Sequence, residues 1–187
     1  MALSEQEDPI VREAYVMSHD YIAYVTGRAS SRAPSKTAAA LRNAGDELLE
    51  KFPIFFKRWP RLFQDVSEEN ACMYLIKILD EHFKPQKPNP SKQLTWSEIL
   101  SIYVLAGQMA IHCQENGMEK ILDSLPDQVG EYVEKLVCPV LKEKGGWNGF
   151  IIRYSKKESP ETKVIKICCG TLLLLTVASI IYYVLKR

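Results

Sequence analysis

The apolar positions of this chain recur with a helical period almost throughout, and one stretch departs from that by being apolar on every side. From Ile99 to Ile111 only Ser101 and Gln108 interrupt the hydrophobic run. A helix that is hydrophobic all round belongs inside a bundle or in a membrane. The run is shorter than the roughly 20 residues a bilayer requires, and Glu98 and His112 close it off. Thr95 to Cys113 is therefore predicted to be the buried central helix of an all-α domain. Ile102, Tyr103 and Val104 would suit a strand, but the run is too long for one. Ala106, Gly107, Met109 and Ala110 favour a helix with close neighbours.

The flanking segments are amphipathic. Ile10, Ala14, Met17, Tyr21 and Tyr24 mark one face of a helix ending near Val25, and Gly27 to Pro34 is a loop by composition. Ser35 or Thr37 can cap a second helix running from Ala38 to Trp59, with Leu41, Ala44, Leu48, Phe52 and Phe55 on one face. Pro53 should bend or divide it and Pro60 end it. Ser67 opens a third helix to Phe83 with a serine cap and an acidic first turn, and the proline-rich stretch Lys84 to Leu94 is a loop. After the central helix, Gly117 breaks the chain and a short helix covers Met118 to Asp123. Ser124-Leu125-Pro126 restarts a helix whose apolar face holds Val129, Tyr132, Val133, Leu136 and Val137. Gly145-Gly146 stops it, and Trp147 to Tyr154 makes a last short helix. The pattern gives about seven or eight helices, no strand and no internal repeat.

The C-terminus reads differently. Ile167 to Leu185 carries no charge and is long enough to cross a bilayer at about 1.5 Å per residue. Lys156, Lys157, Lys163 and Lys166 precede it, Lys186 and Arg187 follow, and Tyr182 and Tyr183 sit where an interfacial aromatic belt would be. The expectation is a helical domain over 1–160 and a C-terminal transmembrane anchor over 161–187, with the bulk of the chain in the cytosol. Cys168 and Cys169 at its edge could be palmitoylated, although apolar packing accounts for them as well.

Composition narrows the function classes. The chain has 187 residues, 47% of them hydrophobic, with a formal charge of +1, which suits one domain with a real core. That balance argues against a nucleic-acid partner. Five cysteines without a CxxC pair, and an acidic, polar start, fit a reduced compartment. His19, His82 and His112 are far apart and have no metal-ligand spacing, so no metal or other cofactor is expected. His112 and Cys113 are adjacent, but neighbours on a helix point about 100° apart and cannot face each other as base and nucleophile. With no phosphate loop or hydrolase elbow either, the chain is not expected to be an enzyme.

What remains are three short patterns. LRNAGDELLEKF, Leu41 to Phe52, places the small pair Ala44-Gly45 and then Asp46 in mid-helix, and a glycine there costs up to about 1 kcal/mol against alanine. TWSEILSIYVLAG opens the central helix, and KEKGGWNGF spans Lys142 to Phe150. In this order, followed by an apolar tail, they resemble the third, first and second homology motifs of the Bcl-2 family of apoptosis regulators. The motif residues are Leu41, Gly45, Asp46, Trp96, Gly145, Gly146 and Trp147. The resemblance covers nearly the whole chain.

The resemblance implies a Bcl-2-like bundle with an apolar groove that takes the amphipathic death-motif helix of a relative. Matching positions would line it with Leu48, Phe52, Phe56 and Trp59 on one wall, and Leu75, Ile78 and Leu79 on another. Ile102 and Leu105 would form the floor and Tyr154 one end, although core packing accounts for Ile102 equally well. The family's Asn-Trp-Gly-Arg is here Thr95-Trp96-Ser97-Glu98, so the resemblance implies a reversed charge at the groove rim. It also implies death-motif helices as partners, the mitochondrial outer membrane (or the endoplasmic reticulum) as location through 167–185, and homo- or hetero-dimers. A survival protein that sequesters death-motif helices is the favoured reading. The alternatives are an effector that oligomerises and permeabilises the outer membrane, and a tail-anchored scaffold.

Overall fold

The computed structural model describes residues 8–53, 62–84 and 94–155. These hold seven helices and no strand. They are α1 (Pro9–Val25), α2 (Lys36–Lys51), α3 (Ala71–Phe83), α4 (Trp96–Glu115), α5 (Ile121–Leu136), α6 (Cys138–Glu143) and α7 (Asn148–Tyr154). The expected boundary at 160/161 and the predicted anchor lie outside the described residues. Among the described residues, no helix is long and apolar enough to cross a membrane.

α4 is the central element. Ile99, Ile102, Tyr103, Val104, Met109 and Ala110 have essentially no exposed surface, as the all-round apolar run requires. Each fully buried aliphatic side chain of this kind contributes about 2 kcal/mol. α1 packs along α5 and also touches α2, α4 and α6, which closes the bundle on one side. Its start is set by Asp8, whose carboxylate accepts the Ile10 N–H at 2.9 Å, with Pro9 in the first turn.

Several boundaries differ from the sequence expectation. α2 ends at Lys51, so the helix expected to bend or divide at Pro53 is interrupted at Phe52, and its expected continuation from 54 to 59 lies outside the described residues. Phe52 caps it with non-helical dihedrals (φ −126°, ψ 48°), because a residue before proline is pushed out of the helical region. α3 begins at Ala71, not Ser67. The Asn70 side chain accepts the Ser67 N–H at 2.8 Å and the Ser67 carbonyl accepts the Ala71 N–H at 3.0 Å, so a local turn takes the place of the first helical turn. α5 runs unbroken through Pro126, whose missing N–H leaves only the Leu122 carbonyl without its helical donor. Ile121, Leu122 and Leu125 before it and Val129 and Val133 after it are buried, and this continuous apolar stripe holds the helix together. A break comes later, at Val137, where Pro139 sits in the first turn of α6 and costs no hydrogen bond.

Candidate functional site

The LRNAGDEL motif lies within α2, whose N-cap Ser35 accepts the Ala38 N–H at 3.0 Å. Its small and apolar face turns inward: Leu41 is fully buried, Ala44 nearly so, and Gly45 is buried. The glycine is required by close approach. A Cβ on Gly45 would lie 2.3 Å from the Tyr21 hydroxyl, and one on Gly107 would lie 2.8 Å from the same ring. Tyr21 of α1 is thus wedged between α2 and α4, and burial pushes its phenol well above the usual range.

The polar residues of the motif are also held by α1. Arg42 grips Asp20 with two hydrogen bonds of 2.8 and 2.5 Å, both side chains being less than a tenth exposed. Its guanidinium lies 4.7 Å over the Tyr24 ring, and the Tyr24 hydroxyl donates to Asp46 at 2.8 Å. That hydrogen bond, with burial, holds the Tyr24 phenol above its ordinary pKa. Farther along the same face of α2, Leu48 is half-buried and Phe52 is 55% exposed.

The other two motifs meet in an aromatic cluster. Gly145 and Gly146 adopt φ of 78° and 81°, left-handed values that a side chain would strain. This turn brings Trp147 to donate its indole N–H to the Ile10 carbonyl at 2.9 Å and to stack edge-on against Phe150 at 5.9 Å. Trp96 packs on Phe150 at 6.1 Å and covers Gly149, where a Cβ would lie 2.4 Å from the indole. Phe150 in turn meets Tyr154 at 4.8 Å.

Between the C-terminal half of α2, the start of α4 and the end of α7 lies an open cleft of about 340 Å³. Leu48, Phe52 and Tyr154 line it, so the fold brings these three expected groove residues together. Leu75, Leu79 and Ile102 have no exposed surface and Leu105 almost none; they support the bundle interior and line no part of this cleft. Ile78 is half-buried on α3, and Phe56 and Trp59 lie outside the described residues. The cleft also takes in Ala44, Glu47, Lys51, Ser97, Leu100, Ser101 and Arg153. Helical spacing could have found most of these, since Leu48, Lys51 and Phe52, and likewise Ser97, Leu100 and Ser101, are three or four residues apart. A second cleft of about 320 Å³ between α3 and α5 is edged by the pairs Asp80–Lys84 and Glu131–Lys135, an ionic rim poorly suited to an apolar helix face.

Residues 41–147 match the family described as apoptosis regulator proteins, Bcl-2 family. The chain belongs to the Bcl-2 family. It is 32% identical to the human Bcl-2-related ovarian killer protein over 157 residues, covering 77% of this chain and 71% of that one. It is 29% identical to the chicken anti-apoptotic protein NR13 over 138 residues, covering 74% and 73%. The fold matches that of Trichoplax adhaerens trBcl-2L2 bound to trBak BH3 with a TM-score of 0.64, at 20% identity over 78% of this chain and 99% of that one. The protein is therefore an all-α, Bcl-2-like apoptosis regulator.

The Bcl-2 fold gives Glu98 a role other than a bare rim charge. Its carboxylate accepts the Thr95 N–H at 2.8 Å and the Thr95 hydroxyl at 2.9 Å, while Thr95 Oγ1 accepts the Glu98 N–H at 3.2 Å. This is a complete capping box at the start of α4, and the negative charge lies against the positive end of the helix. Glu98 does not line the cleft.

Proposed function

We propose that this Bcl-2 family member is a survival-type regulator that sequesters the amphipathic death-motif helix of a pro-apoptotic relative in the cleft between α2, α4 and α7. The observation that carries the reading is that the single apolar face of α2 is covered along its first half and open along its second. Leu41, Ala44 and Gly45 are buried against the bundle, while Leu48 and Phe52, farther along the same apolar face, are left partly uncovered at the cleft with Tyr154. A half-exposed phenylalanine beside a leucine and a tyrosine offers the apolar anchor points an incoming helix needs. The likeness to anti-apoptotic NR13 supports it, as does the fold shared with trBcl-2L2, a protein solved with a BH3 segment. Titrating the full chain, held in lipid nanodiscs, with the trBak BH3 peptide tests it. Saturable binding that Leu48→Asp weakens at least about tenfold is expected, and no binding overturns the reading.

A second reading has its own support in the 32% identity to the ovarian killer protein. As an effector, the chain would release dye from liposomes once activated; as a survival protein, it would suppress release by a relative. We also infer that the uncharged run 167–185 anchors the chain in the mitochondrial outer membrane. Deleting 161–187 should move the protein from the carbonate-resistant membrane fraction to the supernatant, and continued sedimentation would exclude the anchor.

A further inference from the structure

The cleft between α3 and α5 contains a polar group that the fold leaves unused. Tyr132 of α5 is only 8% exposed and forms part of the cleft wall. Its hydroxyl is sealed from solvent, yet it makes no hydrogen bond; among the described residues it is the one buried side-chain oxygen or nitrogen left so. Folded proteins pair nearly all such groups, so an orphan beside a cavity calls for a partner from outside. The cavity, about 320 Å³, has the size of a small-ligand site, and Ile76 and Leu136 give it an apolar surface. It shares no lining residue with the cleft between α2, α4 and α7.

The electrostatics of the cleft fix the sign of the missing partner. Asp80 and Glu131 stand at its edge. Asp80 lies close enough to Tyr132 that its charge, after burial, helps to hold the phenol above its ordinary range, so the hydroxyl keeps its proton. Each carboxylate already holds an ammonium, from Lys84 and Lys135 one turn along. Asp80 belongs to the last turn of α3 and Tyr132 to the last turn and a half of α5. The negative, carbonyl-bearing ends of two helices therefore reach the same cleft.

We propose that the α3–α5 cleft binds a small amphiphilic amine, its protonated nitrogen held between the Asp80 carboxylate and the Tyr132 hydroxyl and its apolar body on Ile76 and Leu136. An ammonium group carries three donors and can serve both oxygens at once. An anion would face two carboxylates and two helix C-termini, and a purely apolar ligand would leave the hydroxyl orphaned. Lys84 and Lys135 are exposed, and their ion pairs within one helix contribute little in water, so Lys84 yields Asp80 to the ligand at small cost.

The test uses three molecules of similar shape and different charge: 2-phenylethylamine, 2-phenylethanol and 3-phenylpropionate. Each is titrated at pH 7 into the full chain in nanodiscs while the methyl resonances of Ile76 and Leu136 are followed. The amine is expected to give saturable shifts, the alcohol to bind at least about tenfold more weakly and the carboxylate not at all. Asp80→Asn should remove the preference for the amine over the alcohol. Tyr132→Phe, which keeps the ring, should weaken the amine about tenfold and should melt at or above the wild-type temperature, because it removes a buried hydroxyl that has no partner. Equal binding of amine and alcohol, wild-type affinity in Tyr132→Phe, or no saturable shift with any of the three overturns the inference. So does a clearly lower melting temperature of Tyr132→Phe, which would mean that the hydroxyl is already paired within the protein.

Discussion

Tyr21 is the residue on which three helices converge, because its ring occupies the space where side chains at Gly45 and Gly107 would be. Neither glycine can gain even a methyl group without moving that buried ring. Gly45→Ala is expected to destabilise the protein by about 1–3 kcal/mol, as overpacking of a tight contact does. For a chain of this length that is a fall in melting temperature of about 2–4 °C per kcal/mol, readable by circular dichroism. An unchanged melting temperature would mean that Tyr21 swings clear at no cost. The buried pair beside it makes a second test. Arg42→Met strands Asp20 in a site less than a tenth exposed, and should cost about 3–5 kcal/mol. Arg42→Met combined with Asp20→Leu removes the stranded charge and should recover much of that loss in the same melting assay.

At the scale of the element, α4 shows which signals a sequence carries openly and which it hides. Its burial follows from the unbroken apolar run, and α1, α2, α3 and α5 follow from their three-and-four spacing. The Leu48, Phe52 and Tyr154 side of the cleft follows from the motif resemblance. Thr95 and Glu98, three positions apart, spell a capping box, so reading Glu98 only as a rim charge overlooks a local signal that was there to be used. What the chain does not spell out is long-range. Nothing near Gly45 names Tyr21 as its neighbour, and nothing near Tyr154 says that its hydroxyl meets Ser97 of α4. The continuity of α5 through Pro126 depends on a buried stripe that only the packed bundle supplies. The capping role has a direct consequence. Glu98→Arg removes the carboxylate that satisfies the Thr95 N–H and puts a cation at the positive end of α4, so it should cost about 0.5–2 kcal/mol of stability. Glu98→Gln, which keeps an acceptor, should lose less. Urea midpoints of the two variants would show it, and equal stability would mean that the box contributes nothing.

For the molecule as a whole, α1 acts as a seam, and that seam is sensitive to alkali. Along its outer edge Tyr15 donates its hydroxyl to Glu134 of α5 at 2.9 Å, and Trp147 and Lys142 tie its first turn to the α6–α7 region. Burial, and then the hydrogen bond to Glu134, push the Tyr15 phenol up to about 12, with Glu131 and Asp127 adding to the rise. Cys138 lies at the same seam, its thiol 3.9 Å from the Ile10 carbonyl, and burial followed by the charges of Glu134 and Asp8 pushes it up to about 11. Both groups bind their protons more tightly folded than unfolded. Their contribution is therefore complete below their ordinary values, near 9 for the thiol and 10 for the phenol, and is lost as pH rises through 11 to 12. Stability should be level up to about pH 9 and then fall steeply, because each phenolate or thiolate would form beside Glu134. Urea midpoints measured from pH 8 to 12 would trace the decline. In Tyr15→Phe the overall stability should be lower at neutral pH, since Glu134 loses a donor, but the slope above pH 10 should be shallower, and an unchanged slope would place the alkaline sensitivity away from α1.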